Sequence, residues 1–131
     1  MIEDYKIYPI RPAAVLTGSY VAATVIGDPN IIYEQNQLAL MVYFTIGSLT
    51  SAQLKIEFSH DGVTYVQETI DSVDYTTGVI TQLVATREMT GSSNIVIPIP
   101  IKFRYIKVSV KGTGTVTNSS MTINAMVGIV Q

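Results

Sequence analysis

The sequence contains no cysteine, no tryptophan and a single histidine in 131 residues. Without cysteine there can be no disulfide, no thiolate metal site and no cysteine nucleophile. The one histidine, His60, has no second imidazole with which to share a metal. Charge is also scarce: 14% of residues are Asp, Glu, Lys or Arg, against about 25% in an ordinary soluble domain. The eight basic residues are scattered and the net charge is −2, with a pI near 5.2. No phosphate-neutralising patch results, so nucleic acid is not an expected partner. No apolar run approaches the roughly 20 residues that span a bilayer, so no membrane insertion is expected. The start, MIEDYKIYPIRP, carries early acids and no apolar h-region. These features predict a chain made in the cytoplasm and not exported by the usual signal.

What is abundant is apolar surface. Hydrophobic residues make up 47% of the chain and the mean hydropathy is +0.34. Such an excess, without a membrane span, predicts burial against other subunits. The dominant period is two, the mark of half-buried antiparallel strands. AQLKIEFSH sets Leu54, Ile56 and Phe58 against Lys55, Glu57 and Ser59; FRYIKVSVK sets Ile106, Val108 and Val110 against Tyr105, Lys107, Ser109 and Lys111. MTINAMVGIV places Met121, Ile123, Ala125, Val127 and Ile129 on one face. In NQLALMVYFTI both faces are apolar, Leu38, Leu40, Val42 and Phe44 on one and Ala39, Met41 and Tyr43 on the other. That strand is read as central and covered twice, or as facing a subunit contact.

Further strands are expected at about 14–26, 64–70, 79–87 and 94–99, seven or eight in all, separated by turn-rich GDPN, DSVDYTTG, MTGSSN and KGTGTVTNSS. The expected fold is all-β: an antiparallel β-sandwich or jelly roll over residues 13–131 as a single domain. The prolines of IPIPI (97–101) confine that run to an edge or a strand end. Residues 1–12, with Tyr5, Tyr8, Pro9 and Pro12, are read as an extended arm, clipping onto a neighbour or draped on the surface.

Candidate chemistry is thin. His60 lies in SHDGVTYVQET beside Asp61 and Gly62, where a catalytic pair would need a pocket, a nucleophile and a distant acid. The residues fit a hairpin turn instead. A four-residue loop, Ser59 to Gly62, sets Phe58 opposite Val63, Ile56 opposite Tyr65 and Leu54 opposite Gln67, with Gly62 left-handed. A three-residue loop, with Phe58 opposite Thr64, matches the faces poorly. Asp71 and Asp74 lack the D-x-D-x-D-G order of a calcium loop. KGTGTVTNSS lacks the order and the strand-to-helix context of a phosphate loop. Tyr33, Tyr43, Tyr65, Tyr75 and Tyr105 are spread along the chain; they suit core or interface positions better than one sugar-stacking platform. No catalytic, cofactor-binding or metal-binding residue is assigned, and no enzyme activity is expected.

Three stretches, RPAAVLTGSYVAATVIG (11–27), LKIEFSHDGVTYVQET (54–69) and IPIPIKFRYIKVSVKGTGTVTNSSMTINAMVG (97–128), carry a resemblance. Together they resemble small β-sandwich virion proteins of tailed bacteriophages, found among head, neck and tail components. The resemblance implies a structural role in the virion, in a symmetric homo-oligomer such as a trimer, with the major capsid protein among its partners. It brings no catalytic residues. Head decoration is the expected role, and a carbohydrate- or receptor-binding module of a tail or fibre is the alternative. The residues expected at interfaces are Tyr5, Tyr8, Met41, Tyr43 and His60.

Overall fold

A computed structural model describes residues 2–27, 37–101 and 103–130. It is all-β, with twelve strands. They are β1 (Ile2–Ala14), β2 (Val21–Ala22), β3 (Ile26–Gly27), β4 (Gln37–Thr45), β5 (Leu49–Ser59) and β6 (Val66–Gln67), then β7 (Thr69–Val73), β8 (Ile80–Val84), β9 (Arg87–Met89), β10 (Ser93–Pro98), β11 (Tyr105–Gly114) and β12 (Ser120–Val130). One sheet runs β1-β12-β4-β10, and a second runs β2-β11-β5-β6 with β3 on β11 and β9 on β5. We call these the arm sheet and the lysine sheet. Among the described residues β7 and β8 pair only with each other.

The alternation seen in sequence sets the inner faces. Leu38, Leu40, Val42 and Phe44 of β4 and Met121, Ile123, Ala125 and Val127 of β12 point inward from the arm sheet. Leu54 and Ile56 of β5 meet them with Ile106, Val108 and Val110 of β11, all buried in one continuous core. Period-two burial on both layers is what makes this a sandwich. Two of the connections that cross between the sheets, β4 to β5 and β11 to β12, touch each other. Gly47 (φ 57°) in the first lies against Asn118 (φ 68°) in the second. Beside them the buried Ser119 hydroxyl accepts from the Leu16 N–H at 3.1 Å and donates to the Val116 carbonyl at 2.6 Å. A buried hydroxyl is thereby satisfied on both sides.

Three expectations are sharpened or changed. First, residues 2–14 run extended, as expected, and take a place in the chain's own sheet. They form a 13-residue edge strand paired along β12. Pro9 is tolerated because an edge strand has one row of N–H groups with no ladder partner, and the register shifts between Pro9 and Arg11 absorb the misfit. The Arg11 guanidinium, its pKa lowered by burial, fastens the bulge by donating to the carbonyls of Met121 and Ala14, the latter at 3.1 Å. Second, 14–26 holds only the short strands β2 and β3, and 79–87 divides into β8 and β9. Third, Phe58 pairs with Val66 and Glu57 with Gln67, so the turn runs from Ser59 to Tyr65 and not over four residues. The prolines of IPIPI behave as expected: Pro98 ends β10, which is an edge of its sheet.

Candidate interaction surfaces

The register of the arm sheet decides which side chains share its outer face. Tyr5, Ile7 and Pro9 of β1 stand opposite Gly128, Met126 and Asn124 of β12. Across β12, Met126 and Asn124 stand opposite Ala39 and Met41, and Thr122 opposite Tyr43. Met41 and Ala39 in turn stand opposite Val96 and Pro98 of β10. From Tyr5 to Pro9, Gln37 to Tyr43, Asn94 to Pro98 and Thr122 to Gly128, these outward positions hold no charged residue. Tyr5 (60% exposed), Ile7 (51%) and Val96 (65%) are open to solvent, and the Tyr43 hydroxyl lies 3.9 Å from Met41 Sδ. An uncharged apolar sheet face of this breadth is what a protein contact covers.

Tyr5, Met41 and Tyr43 thus share one face. Tyr8 does not: it stands opposite Ala125, half-buried and packed on the core, because neighbouring residues of a strand point to opposite sides. Tyr33 lies outside the described residues. Tyr75, at 94% exposure, sits at the tip of the β7–β8 hairpin.

His60 lies apart, exposed in the β5–β6 turn. The turn is held by two short side chains. Asp61 Oδ1 accepts from the N–H groups of Val63 and Thr64, both at 2.9 Å, and from the Ser59 hydroxyl at 2.9 Å. Ser59 Oγ accepts from Gly62 N–H at 2.9 Å, and Gly62 adopts φ 76° as the sequence suggests. The backbone N–H groups of Thr64 and Val63, then the Ser59 hydroxyl, draw the Asp61 pKa down to about 2. These bonds widen the turn and leave Val63 at 82% exposure, which is why the expected facing of Phe58 and Val63 does not form. Asp61 is bound more tightly as the anion when folded, so its stabilisation is complete above its unfolded pKa near 3.8 and fades as pH falls toward about 2. Asp61→Ala is expected to melt earlier than the native chain at neutral pH. The gap, followed by thermal melting, should narrow between pH 4 and pH 2; a gap unchanged over that window contradicts the turn role.

Beside this turn lies an open groove of about 690 Å³. Phe103 stacks on Phe58 at 4.6 Å and meets His60 at 5.1 Å, and Pro100 and Val66 add apolar walls. Part of its polar lining is already engaged: Glu68 holds Arg87 at 2.7 Å, and Gln67 donates to the Ala85 carbonyl at 3.0 Å. Sequence reading passed over this groove because Phe103, which completes it, lies 43 positions from His60. Among the described residues no group of three His, Cys, Asp or Glu side chains is placed to hold a metal.

The β7–β8 hairpin leaves the edge of the lysine sheet between β6 and β9. Its root is tied by Glu68 N–H to the Ile56 carbonyl (2.9 Å) and Ala85 N–H to the Glu68 carbonyl (2.8 Å). Every residue of β7 and β8 is exposed. Thr69, Asp71 and Val73 share one face with Val84, Gln82 and Ile80, while Ile70 and Leu83 share the other.

No protein-family model matches this chain, and no curated protein does. Solved structures do. One is the SPBc2 prophage-derived protein YomS, similar over 95% of this chain and 92% of that one, at 14% identity and a TM-score of 0.52. Another comes from Bacillus endospore appendages described as disulfide-linked pili, similar over 97% of this chain and 89% of that one, at 12% identity and a TM-score of 0.50. What these likenesses share with the chain is its β fold.

Proposed function

We propose that this chain is a non-enzymatic structural protein of a phage particle, acting through contact area. In this reading it is made in the host cytoplasm and carried on the virion as a decoration protein bound to the major capsid protein. The observation that carries it is the uncharged apolar outer face of the arm sheet, with Tyr5, Ile7, Met41, Tyr43 and Val96. The fold shared with a prophage-derived protein supports the phage setting. The disulfide linkage of the appendage pili does not transfer, since this sequence has no cysteine. A protein that binds only assembled shell shifts the equilibrium toward assembly by mass action.

Co-sedimentation with purified phage heads lacking the chain tests this. The native chain is expected to pellet with the heads. Met41→Glu and Val96→Glu, which place charge on the apolar face, should lower retention about tenfold or more while both chains still fold. Equal pelleting of native and variant chains would move the contact elsewhere.

The groove of Phe58, His60 and Phe103 favours a second reading, a receptor- or carbohydrate-binding module, because stacked aromatic walls suit an apolar sugar face. Saturable binding on a glycan array, lost in Phe103→Ala, is its expected signature. A blank array at millimolar glycan would dismiss it.

A further inference from the structure

Two features of the lysine sheet fit each other but lie at opposite edges, so one molecule cannot bring them together across its own sheet. On β11 and just before β2 the outer face is basic and aromatic. Lys111 Nζ of β11 lies 5.0 Å from the Tyr20 ring, which Lys55 Nζ of the middle strand β5 also approaches at 4.5 Å, and Lys107 Nζ of β11 lies 4.3 Å from the ring of Tyr65 in the β5–β6 turn. In the middle, on β5, Glu57 partly balances Lys55 and Lys107 at 3.7 and 3.9 Å. At the far edge β9 carries Glu88, opposite Gln53, and Arg87, which is paired with Glu68 at 2.7 Å. Beyond it the hairpin carries Asp71 and Asp74 and, from Thr69 to Val84, no basic residue at all. Charge therefore changes sign across the sheet, from basic on β11 to acidic on the hairpin.

The hairpin is also apolar in a way its own fold does not use. Val73 (41% exposed), Ile80 (62%) and Val84 (63%) surround Asp71 on one face. A lone two-stranded hairpin is marginal in water, so an exposed apolar one gains most from a second surface. The surface that matches it offers tyrosine rings for the aliphatic side chains and ammonium groups for the carboxylate.

Resting on the assembly reading above, we infer that the β7–β8 hairpin of one copy docks on the Tyr20–Lys107–Lys111 face of a second copy, in a head-to-tail array. In a head-to-tail array the interface is heterologous, and repetition gives a ring or a fibre. Each chain then contributes twice, once with its hairpin and once with its face.

A charge exchange tests this on the full chain by light scattering after size exclusion, with masses read in multiples of 14.3 kDa. One variant carries Asp71→Lys with Asp74→Asn; asparagine keeps the acceptor that Thr76 N–H uses at 2.8 Å. The other carries Lys107→Glu with Lys111→Glu. The native chain is expected to form oligomers that loosen with salt, and each variant alone to associate about tenfold more weakly or worse. Mixing the two variants should restore the oligomer, since each hairpin then meets a face of opposite charge. Circular dichroism melting confirms that both variants fold. A native chain monomeric up to about 100 μM, or oligomers indifferent to both variants, overturns the inference. A monomer that still pellets with phage heads overturns it too while leaving the particle role standing, and an oligomer absent from particles does the reverse.

Discussion

Gly47→Ala should be strongly destabilising for a single added methyl, costing about 2–5 kcal/mol. Two separate penalties meet there. Gly47 has φ 57°, a conformation that disfavours any Cβ by about 1–2 kcal/mol. A Cβ built on Gly47 would also stand 2.5 Å from the Asn118 carbonyl carbon and 2.9 Å from Ser119 N, both backbone atoms. Backbone cannot swing aside as a side-chain tip can, so the β4–β5 and β11–β12 connections would have to separate. Gly78→Ala isolates the first penalty: its φ is 76° but nothing lies within 4 Å of the new carbon, so only the conformational cost of about 1–2 kcal/mol is expected. Gly91→Ala has open space and no positive φ, and should be nearly silent. Thermal melting of the three variants checks the order. Gly47→Ala melting no lower than Gly78→Ala would mean that the two crossings do not touch.

Leu40→Ala is the second large effect, about 2–5 kcal/mol, from lost burial and the cavity left behind. Leu40 is fully buried on the central strand of the arm sheet, flanked by Ala125 and Ile97. The next residue along, Met41, faces the opposite way, and Met41→Ala should cost well under the Leu40 change, about 1 kcal/mol or less. The contrast between neighbours tests the two-layer arrangement itself. It also separates stability from contact, since Met41 is read as a binding residue. Urea unfolding gives both values; comparable losses at the two positions would mean that something within the fold covers the outer face.

Alternation alone made much of this legible. Leu54 and Ile56, Val108 and Val110, and Met121 and Ile123 are assigned to the core by period two, and the structure buries all six. The proline argument for IPIPI holds for the same reason, since a missing N–H has a fixed geometric consequence. Prolines were a poorer guide at the other end. Pro9 and Pro12 made residues 1–12 look unpaired, yet a bulge and the Arg11 hydrogen bonds let them run along β12. The His60 turn shows the limit of face-matching. Pairing Phe58 with Val63 presumes that the turn is as short as its glycine suggests, whereas the Asp61 carboxylate gathers the N–H groups of Val63 and Thr64 and postpones pairing to Val66. Local side-chain bonds of this kind compete with the strand ladder, and hydrophobic pattern does not register them.

The interaction surfaces were legible only in part, and for a related reason. Period two decides which residues of one strand share a face; which strands are neighbours is a matter of topology. Tyr5 and Met41 are 36 positions apart and meet on one face because β12 lies between their strands. The hairpin was visible in sequence as DSVDYTTG flanked by short apolar runs, but its detachment from both sheets was not. The charge gradient across the lysine sheet depends on strand order and so has no signature in the linear sequence.

The most direct test of the account counts this chain in particles. Phage particles produced by the host that carries the gene, purified through a density gradient and quantified by mass spectrometry, should contain the chain at a fixed, high ratio to the major capsid protein. The ratio should persist on a second gradient and fall when Met41→Glu replaces the native residue. Particles free of the chain, with all of it left in the soluble fraction, would contradict a structural role in the virion.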